Sequence, residues 1–281
     1  KFMKPVTISA DLHCHSTASD GTLPPAKVVT RAAANGVDML ALTDHDTTAG
    51  LDEAYLSAQE NNIRLIAGIE LSVTWQGKLL HIVGLDIDPE YRPLRQGIRM
   101  LKEMREERAQ EMGKRLARAG YSNAYENSRR LAGKGNVTRT HFARHLIEVG
   151  AAKDFTDVFK RFLVPGKPGY YRVDWAPMED AISWITDSGG VAVVAHPMRY
   201  KLTASWLNRV ITGFREAGGK GIEVVCGHNS ADDNARSAMF ARKHGLLASQ
   251  GSDFHEPGKW VELGKLAKLP DGIEPVWQQW L

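Results

Sequence analysis

His13 and His15, one residue apart, close the first apolar run of the chain, and Asp20 follows five residues later in the stretch ADLHCHSTASDG. Imidazoles and carboxylates gathered at a strand end are costly to bury unpaired, and a shared cation removes that cost. Other apolar runs carry the same residue types. The second run leads into Thr43-Asp44-His45-Asp46, the third ends in Glu70, and His81 lies within the fourth. The fifth ends in His196, the sixth in Cys226-x-His228 and the seventh in Asp253-x-His255. Side chains alternate along a strand, so His13 and His15 face one way, as do Asp253 and His255, while Cys14 is left for the core. Nitrogen and carboxylate donors together suit Mn, Fe or Zn rather than the all-oxygen cages of Ca. A single strand-end histidine is usually a hydrogen-bonded structural residue. Nine groups converging on one rim (His13, His15, Asp20, His45, Glu70, His81, His196, Asp253 and His255) exceed the needs of one ion, so several ions sharing a carboxylate are expected.

The elements that must position these groups follow from the apolar runs Val6–Leu12, Met39–Thr43, Arg64–Ile69, Leu79–Gly84, Val191–Ala195, Ile222–Cys226 and Leu246–Gln250. They are continuous rather than alternating, as strands covered on both faces are. Helical patterns lie between several of them, among them Pro24–Asn35, Met178–Asp187 and Ala231–His244, with start and stop signals in place. Strands alternating with helices predict an α/β fold with a parallel sheet, and seven strands predict a barrel whose C-terminal rim carries function.

One gap breaks the rhythm, where over 100 residues separate the fourth and fifth runs. Within it Tyr91–Gly120 reads as a long amphipathic basic helix, Thr138–Val149 and Lys153–Phe162 as shorter ones, and Gly133-Lys134-Gly135 as a flexible loop. The expected organisation is a barrel formed by 1–91 and 166–281 with an inserted helical cap at 92–165. From Arg92 to Arg172 there are 19 Lys/Arg against 8 Asp/Glu, a net of +11, which leaves −8 for the rest of a chain whose total is +3.

The 281 residues suffice for one large α/β barrel or two ordinary domains, and 43% hydrophobic with 25% charged content argues against disorder. No apolar run approaches the roughly 20 residues of a membrane helix, and the N-terminus has no signal-peptide pattern. Two cysteines make no disulfide framework and suit a reducing cytoplasm.

The order HxH, Asp20, TDHD, Glu70, His81, AHP and GSDFH resembles the PHP (polymerase and histidinol phosphatase) superfamily. That resemblance implies a distorted seven-stranded β/α barrel with a trinuclear metal centre. The stretches NVTRTHFARHL, GGVAVVAHPMRYKLTASWL and GLLASQGSDFH further resemble the bacterial RNase AM subgroup. That subgroup comprises 5′-to-3′ exoribonucleases that also hydrolyse nucleoside 3′,5′-bisphosphates. Carried over by position, His13, His15, Glu70 and Asp253 would hold one ion. Glu70 as a bridge, with His81 and His196, would hold a second, and Asp20, His45 and His255 a third. Manganese is the expected metal, with iron and zinc acceptable to the same donors. The expected chemistry is in-line attack on phosphorus by a hydroxide bridging two ions, at neutral pH.

Three further residues are candidates for substrate binding. Arg199, three residues after His196, has the reach to clamp a phosphate as a bidentate donor, against an ordinary surface salt bridge. His228 shares the rim. Arg139 lies at a helix start where an anion could sit, although Thr138 and Thr140 are explained as ordinary caps. His141 and His145 have i,i+4 spacing but lack the glutamate of a metalloprotease motif, and read as helix face. The mixed charge of Arg92, Arg95, Arg99, Lys102, Arg105 and Arg108 with Glu103, Glu106 and Glu107 is ordinarily a solvated face. The excess charge suits a cap that receives a nucleotide or short single-stranded RNA, with Tyr170, Tyr171 and Trp175 just after it. No feature calls for a membrane or an obligate protein partner. The rival readings are a metal-dependent amidohydrolase, which also opens with HxH, a structural PHP module of a DNA polymerase, and a histidinol-phosphatase-like enzyme.

Overall fold

The computed structural model describes residues 8–258 and 261–281; Val6 and Thr7 of the first apolar run lie outside them. Eight strands form one sheet: β1 (Ala10–Asp11), β2 (Met39–Leu42), β3 (Arg64–Trp75), β4 (Lys78–Leu85), β5 (Ala176–Pro177), β6 (Val191–Val194), β7 (Gly221–Cys226) and β8 (Leu247–Gly251). The order is β1-β2-β3-β4-β6-β7-β8, with the short β5 paired to β3 off this path. The sheet curls until its edges meet. The Leu12 N–H donates to the Gln250 carbonyl at 3.0 Å and the Asp253 N–H to the His13 carbonyl at 2.8 Å. Only glycine admits this approach, because a Cβ on Gly251 would lie 2.2 Å from the Cβ of His13. The result is a nearly closed, seven-stranded barrel-shaped α/β sheet.

The sheet is not all parallel, as the alternation of runs predicts. β4 runs antiparallel to both β3 and β6. The cause is local: only Gln76 and Gly77 join β3 to β4, both at positive φ (45° and 74°), a link too short for any crossover. β3 therefore runs on to Trp75, and Glu70 sits in mid-strand rather than at its end.

Period-two alternation sorts the strand residues. Leu40, Leu42, Ala67, Ile69, Leu80, Ile82, Ala192 and Val194 join the main core under the helices. Those helices are α1 (Pro25–Ala34), α2 (Leu51–Glu60), α7 (Met178–Asp187), α8 (Ala204–Glu216) and α9 (Ala231–His244). The neighbouring residues Met39, Ala41, Ile66, Val83, Leu85, Val191 and Val193 pack a separate cluster with Val276 and Trp277 of the C-terminal 3₁₀ turn. Glu70, His81 and Glu223 follow on that second face by the same alternation. Apolar side chains thus fill one end of the barrel and polar ones the other.

Between β4 and β5 lie α3 (Arg92–Arg118), α4 (Ala124–Ala132), α5 (Arg139–Glu148) and α6 (Phe155–Val158), the last continuing as a π-helical turn at Phe159–Leu163. The sequence pattern anticipates all of these except α4, whose nine residues start from Asn123 at positive φ. Leu94 and Leu101 of α3 join the main core, whereas Met112 and Leu116 build a second one with Phe142, Leu146, Val158 and Phe162. Gly133 and Lys134 form an exposed loop, as the pattern predicts, and the chain becomes packed at Gly135. The Asn136 N–H bonds the Ala18 carbonyl at 3.2 Å, and a Cβ on Gly135 would lie 2.4 Å from the Thr17 carbonyl oxygen.

Candidate metal centre

The closed edge of the barrel brings His13 and His15 together with donors from β3 and the loop after β8. The two Nε2 atoms lie 3.1 Å apart. Each is 3.3 Å from Glu70 Oε2, and they lie 3.5 and 3.2 Å from Asp253 Oδ1. Ligands about 2.0–2.2 Å from a common ion stand about 3.0–3.5 Å from one another, so these edges have the spacing of a coordination shell. The far side of the His13 ring is fixed as well: its Nδ1 lies 2.6 Å from Glu223 Oε1. A proton donated to that carboxylate leaves the Nε2 lone pair facing the other donors.

Glu70 divides its oxygens. Oε1 lies 2.9 Å from both His81 Nδ1 and His196 Nε2, while Oε2 faces His13, His15 and, at 2.9 Å, His45 Nδ1. A carboxylate shared in this way is the geometry of a bridge. Asp20 Oδ1 lies 3.2 Å from His255 Nε2 and 4.0 Å from His45 Nε2. Its other oxygen accepts hydrogen bonds from the Thr138 and Thr140 hydroxyls, both at 3.0 Å. The anion at the start of α5 is thus Asp20 itself. All nine predicted residues converge, and His15, Asp20, His45 and His255 form one group while His13, Glu70 and His196, His13, His15 and Asp253, and His45, Glu70 and His81 form three more.

The chemistry of the donors supports a cation here. Buried Asp20 Oδ1, Glu70 Oε2, His45 Nδ1 and His196 Nδ1 make no aligned hydrogen bond. Burial alone would raise the carboxyls, but neighbouring histidines hold Asp20 and Glu70 well below the usual range, and Arg199 with His13 does so for Asp253. Burial, with His255 and His45 beside it, pushes the His15 imidazole down to about 3, and burial pushes His81 down to about 4. The carboxylates pull the other way on His13, which they raise well above its ordinary value, and on His255, which Asp20 and Asp253 raise to about 9; a bound cation would take the place of those protons. Groups that can hold a metal therefore crowd one end of the barrel.

Several supporting residues escape a reading by motif. Glu223, buried in β7, also accepts the His196 N–H at 2.5 Å; a glutamate inside the apolar run GIEVVC is its only sequence signal. Asp44 accepts from the Ser16 N–H (2.8 Å) and from the Ser16 and Ser19 hydroxyls (both 2.6 Å), anchoring the loop that carries Asp20. Asp46 accepts from Arg105 Nε at 2.5 Å and from the Ser72 N–H at 2.7 Å. Arg105, part of the stripe expected to be solvated, is thereby buried. The His81 N–H donates to the Tyr200 hydroxyl at 2.9 Å.

Arg199 pairs with Asp253 and, like Arg139, lines the cavity over the site. His228 is exposed on the turn after β7 and does not line that cavity. His141 closes a capping box with Thr138, accepting its N–H at 3.0 Å, and neither it nor His145 joins a donor group. Cys14 is core, its thiol 3.2 Å from the Ala41 carbonyl.

A metal-ligating barrel of this architecture has known relatives, and the chain belongs to the PHP domain family, whose model matches residues 11–187. It is 46% identical over 271 residues to a 3′,5′-nucleoside bisphosphate phosphatase of Chromobacterium violaceum, covering 96% of this chain and 95% of the relative. It is 44% identical over 274 residues to a 5′-3′ exoribonuclease of Haemophilus influenzae, covering 98% and 100%. A solved structure from Chromobacterium violaceum, described as an amidohydrolase with bound sulfate and no metal, superposes with a TM-score of 0.93. It is 46% identical and covers 96% of this chain and 95% of that one. Among the described residues, no helix is long and apolar enough to cross a membrane.

Proposed function

We propose that the chain is a metal-dependent phosphoesterase that hydrolyses phosphate esters of nucleotides, as a 5′-to-3′ exoribonuclease on short 5′-phosphorylated RNA and as a 3′,5′-bisphosphate nucleotide phosphatase. The observation that carries this reading is Glu70, whose two oxygens serve two histidine groups at the floor of a cavity walled by Arg105, Arg108, Arg139 and Arg199. Carboxylate and imidazole donors bind cations, and arginines bind phosphate oxygens in pairs. Both relatives are named for phosphoester substrates. Those names favour this reading over an amidohydrolase.

The ligand sets are His13, His15, Glu70 and Asp253; Glu70, His81 and His196; and Asp20, His45 and His255. Manganese is the expected ion in each. Bound divalent ions supply activated water at neutral pH and offset phosphoryl charge. The protein's own groups do the rest. Asp20, pinned by Thr138 and Thr140, couples α5 to the floor of the site. Arg199, held at the rim by Asp253, stands where it can take a phosphate oxygen, and Arg139 extends the positive wall. Residues 92–165 serve as a basic cap that attracts the polyanion. His228, on the turn after β7 and within electrostatic reach of Arg199, Asp253, His255 and His196, stands beside the site as a further candidate substrate contact.

Incubation of the Mn²⁺-supplemented protein with a short 5′-phosphorylated oligoribonucleotide tests this. Stepwise release of mononucleotides from the 5′ end, absent in Glu70→Ala, is the expected result. An oligomer and a 3′,5′-bisphosphate nucleotide that both remain intact would overturn the reading, and histidinol phosphate would be the next substrate to try.

A further inference from the structure

The cavity over the metal centre, about 290 Å³, adjoins a second of about 420 Å³, and Leu79, Arg108, Arg139 and Trp175 line both. The two arginines at this junction differ from their neighbours. Arg105 is matched by Asp46 and Arg199 by Asp253, whereas among the described residues neither the Arg108 nor the Arg139 side chain has a hydrogen bond or a close ion pair, Asp46 and Asp20 acting on them only at longer range. Their guanidiniums lie over Trp175 (5.5 Å) and Phe159 (5.6 Å). Burial and mutual repulsion push the Arg108 guanidinium down, a cost that an anion between the two would remove.

The aromatic rings beyond the junction are also unequal. Trp175 is covered by Arg105 and Arg108, and Tyr171 by Arg115 at 5.2 Å. Tyr170 lines the second cavity, is half-buried, and has no aromatic ring or cation stacked on its face among the described residues, while its hydroxyl lies within electrostatic reach of Arg108 and Arg139. Its backbone is nonetheless fixed: Arg115 donates to its carbonyl at 2.8 Å, and its N–H donates to the Lys167 carbonyl at 3.0 Å. A held backbone with a free ring beside two unpaired cations is the combination that binds single-stranded nucleic acid, stacking a base and neutralising its phosphate.

We propose that the second cavity seats the nucleotide adjoining the one whose phosphate meets the metal centre, with Arg108 and Arg139 taking the intervening phosphate and Tyr170 stacking the neighbouring base. This rests on the exoribonuclease reading above and deepens it: the substrate is an RNA at least three nucleotides long, in which the scissile phosphate and the one held by the arginines are separate groups.

Two substrates separate the claims, a 5′-phosphorylated tetraribonucleotide and p-nitrophenyl phosphate, which reaches the metal centre but not the second cavity. Tyr170→Ala is expected to lower the ratio of the two kcat/KM values, tetranucleotide over p-nitrophenyl phosphate, by about 5- to 150-fold, chiefly through KM for RNA, and Tyr170→Phe to preserve it. Hydrolysis of p-nitrophenyl phosphate by each variant reports that it is folded. An unchanged ratio in Tyr170→Ala, whether both activities hold or both fall together, would overturn the subsite. Wild-type protein that cleaves p-nitrophenyl phosphate but not RNA would overturn the subsite and the exoribonuclease activity, and leave the phosphoesterase reading standing. Wild-type protein that cleaves neither would overturn the phosphoesterase reading and the subsite with it.

Discussion

Replacing Glu223 by glutamine tests how the protein sets its histidines. Glu223 is 1% exposed, and its two oxygens hold the His13 ring at 2.6 Å and the His196 N–H at 2.5 Å. Glutamine keeps the volume and one acceptor but loses the charge that orients the His13 tautomer. Loss of such an outer partner costs about 10- to 100-fold in metal affinity or activity, equivalent to about 1.4–2.8 kcal/mol. The expected result is a kcat/KM lowered by that factor in limiting Mn²⁺ and largely restored at high Mn²⁺, with an unfolding midpoint near wild type. Glu223→Ala should cost more, because it also leaves the buried His196 N–H without an acceptor, a penalty of about 1–3 kcal/mol. Metal titration by activity and by calorimetry distinguishes the outcomes. Wild-type metal affinity in Glu223→Gln would refute the claim that this carboxylate tunes His13.

Two other perturbations follow from the packing. Arg105→Ala leaves Asp46, fully buried, without its charge partner and should lower unfolding free energy by about 3–5 kcal/mol, read as a lower urea midpoint at unchanged slope. A loss below 1 kcal/mol would mean the pair is not effectively buried. Burial holds the His141 imidazole at about 4 against an ordinary 6.5. The folded state thus favours the neutral ring, and its contribution is complete above pH 6.5 and is lost as pH falls toward 4, by about 3 kcal/mol. Glutamine at 141 can keep the capping-box bond to Thr138, so His141→Gln should lose less stability than wild type between pH 7 and 4.5 in thermal melts. Parallel curves would contradict this.

The sequence makes the ligands legible because they sit on or just beyond the ends of apolar runs, where a donor needs a reason to exist. His13, His45, His196 and His255 are found this way without any structure. The hairpin of β3 and β4 is less visible: its turn is Gln-Gly rather than Asn-Gly, and its strands are as apolar as parallel ones. Glu223 hides because one charged residue inside a buried run has no periodic signature. Arg105 and Arg108 hide for another reason. Their three-to-four spacing puts them on a stripe of α3, but tertiary placement decides whether that stripe meets solvent or a cavity, and here β3 and Trp175 lie beneath it. Asp20 is readable as a ligand, yet its anchoring by Thr138 and Thr140 depends on a helix more than 100 residues away along the chain.

The central claim is the number of ions that the overlapping donor groups hold. Metal content per chain, measured by mass spectrometry after equilibration with Mn²⁺ and removal of free metal, tests it directly. Three equivalents in wild type, falling to two in Asp20→Asn, is the expected result. Two equivalents or fewer in wild type, or no loss in Asp20→Asn, would contradict a three-ion site built on Glu70 and Asp20.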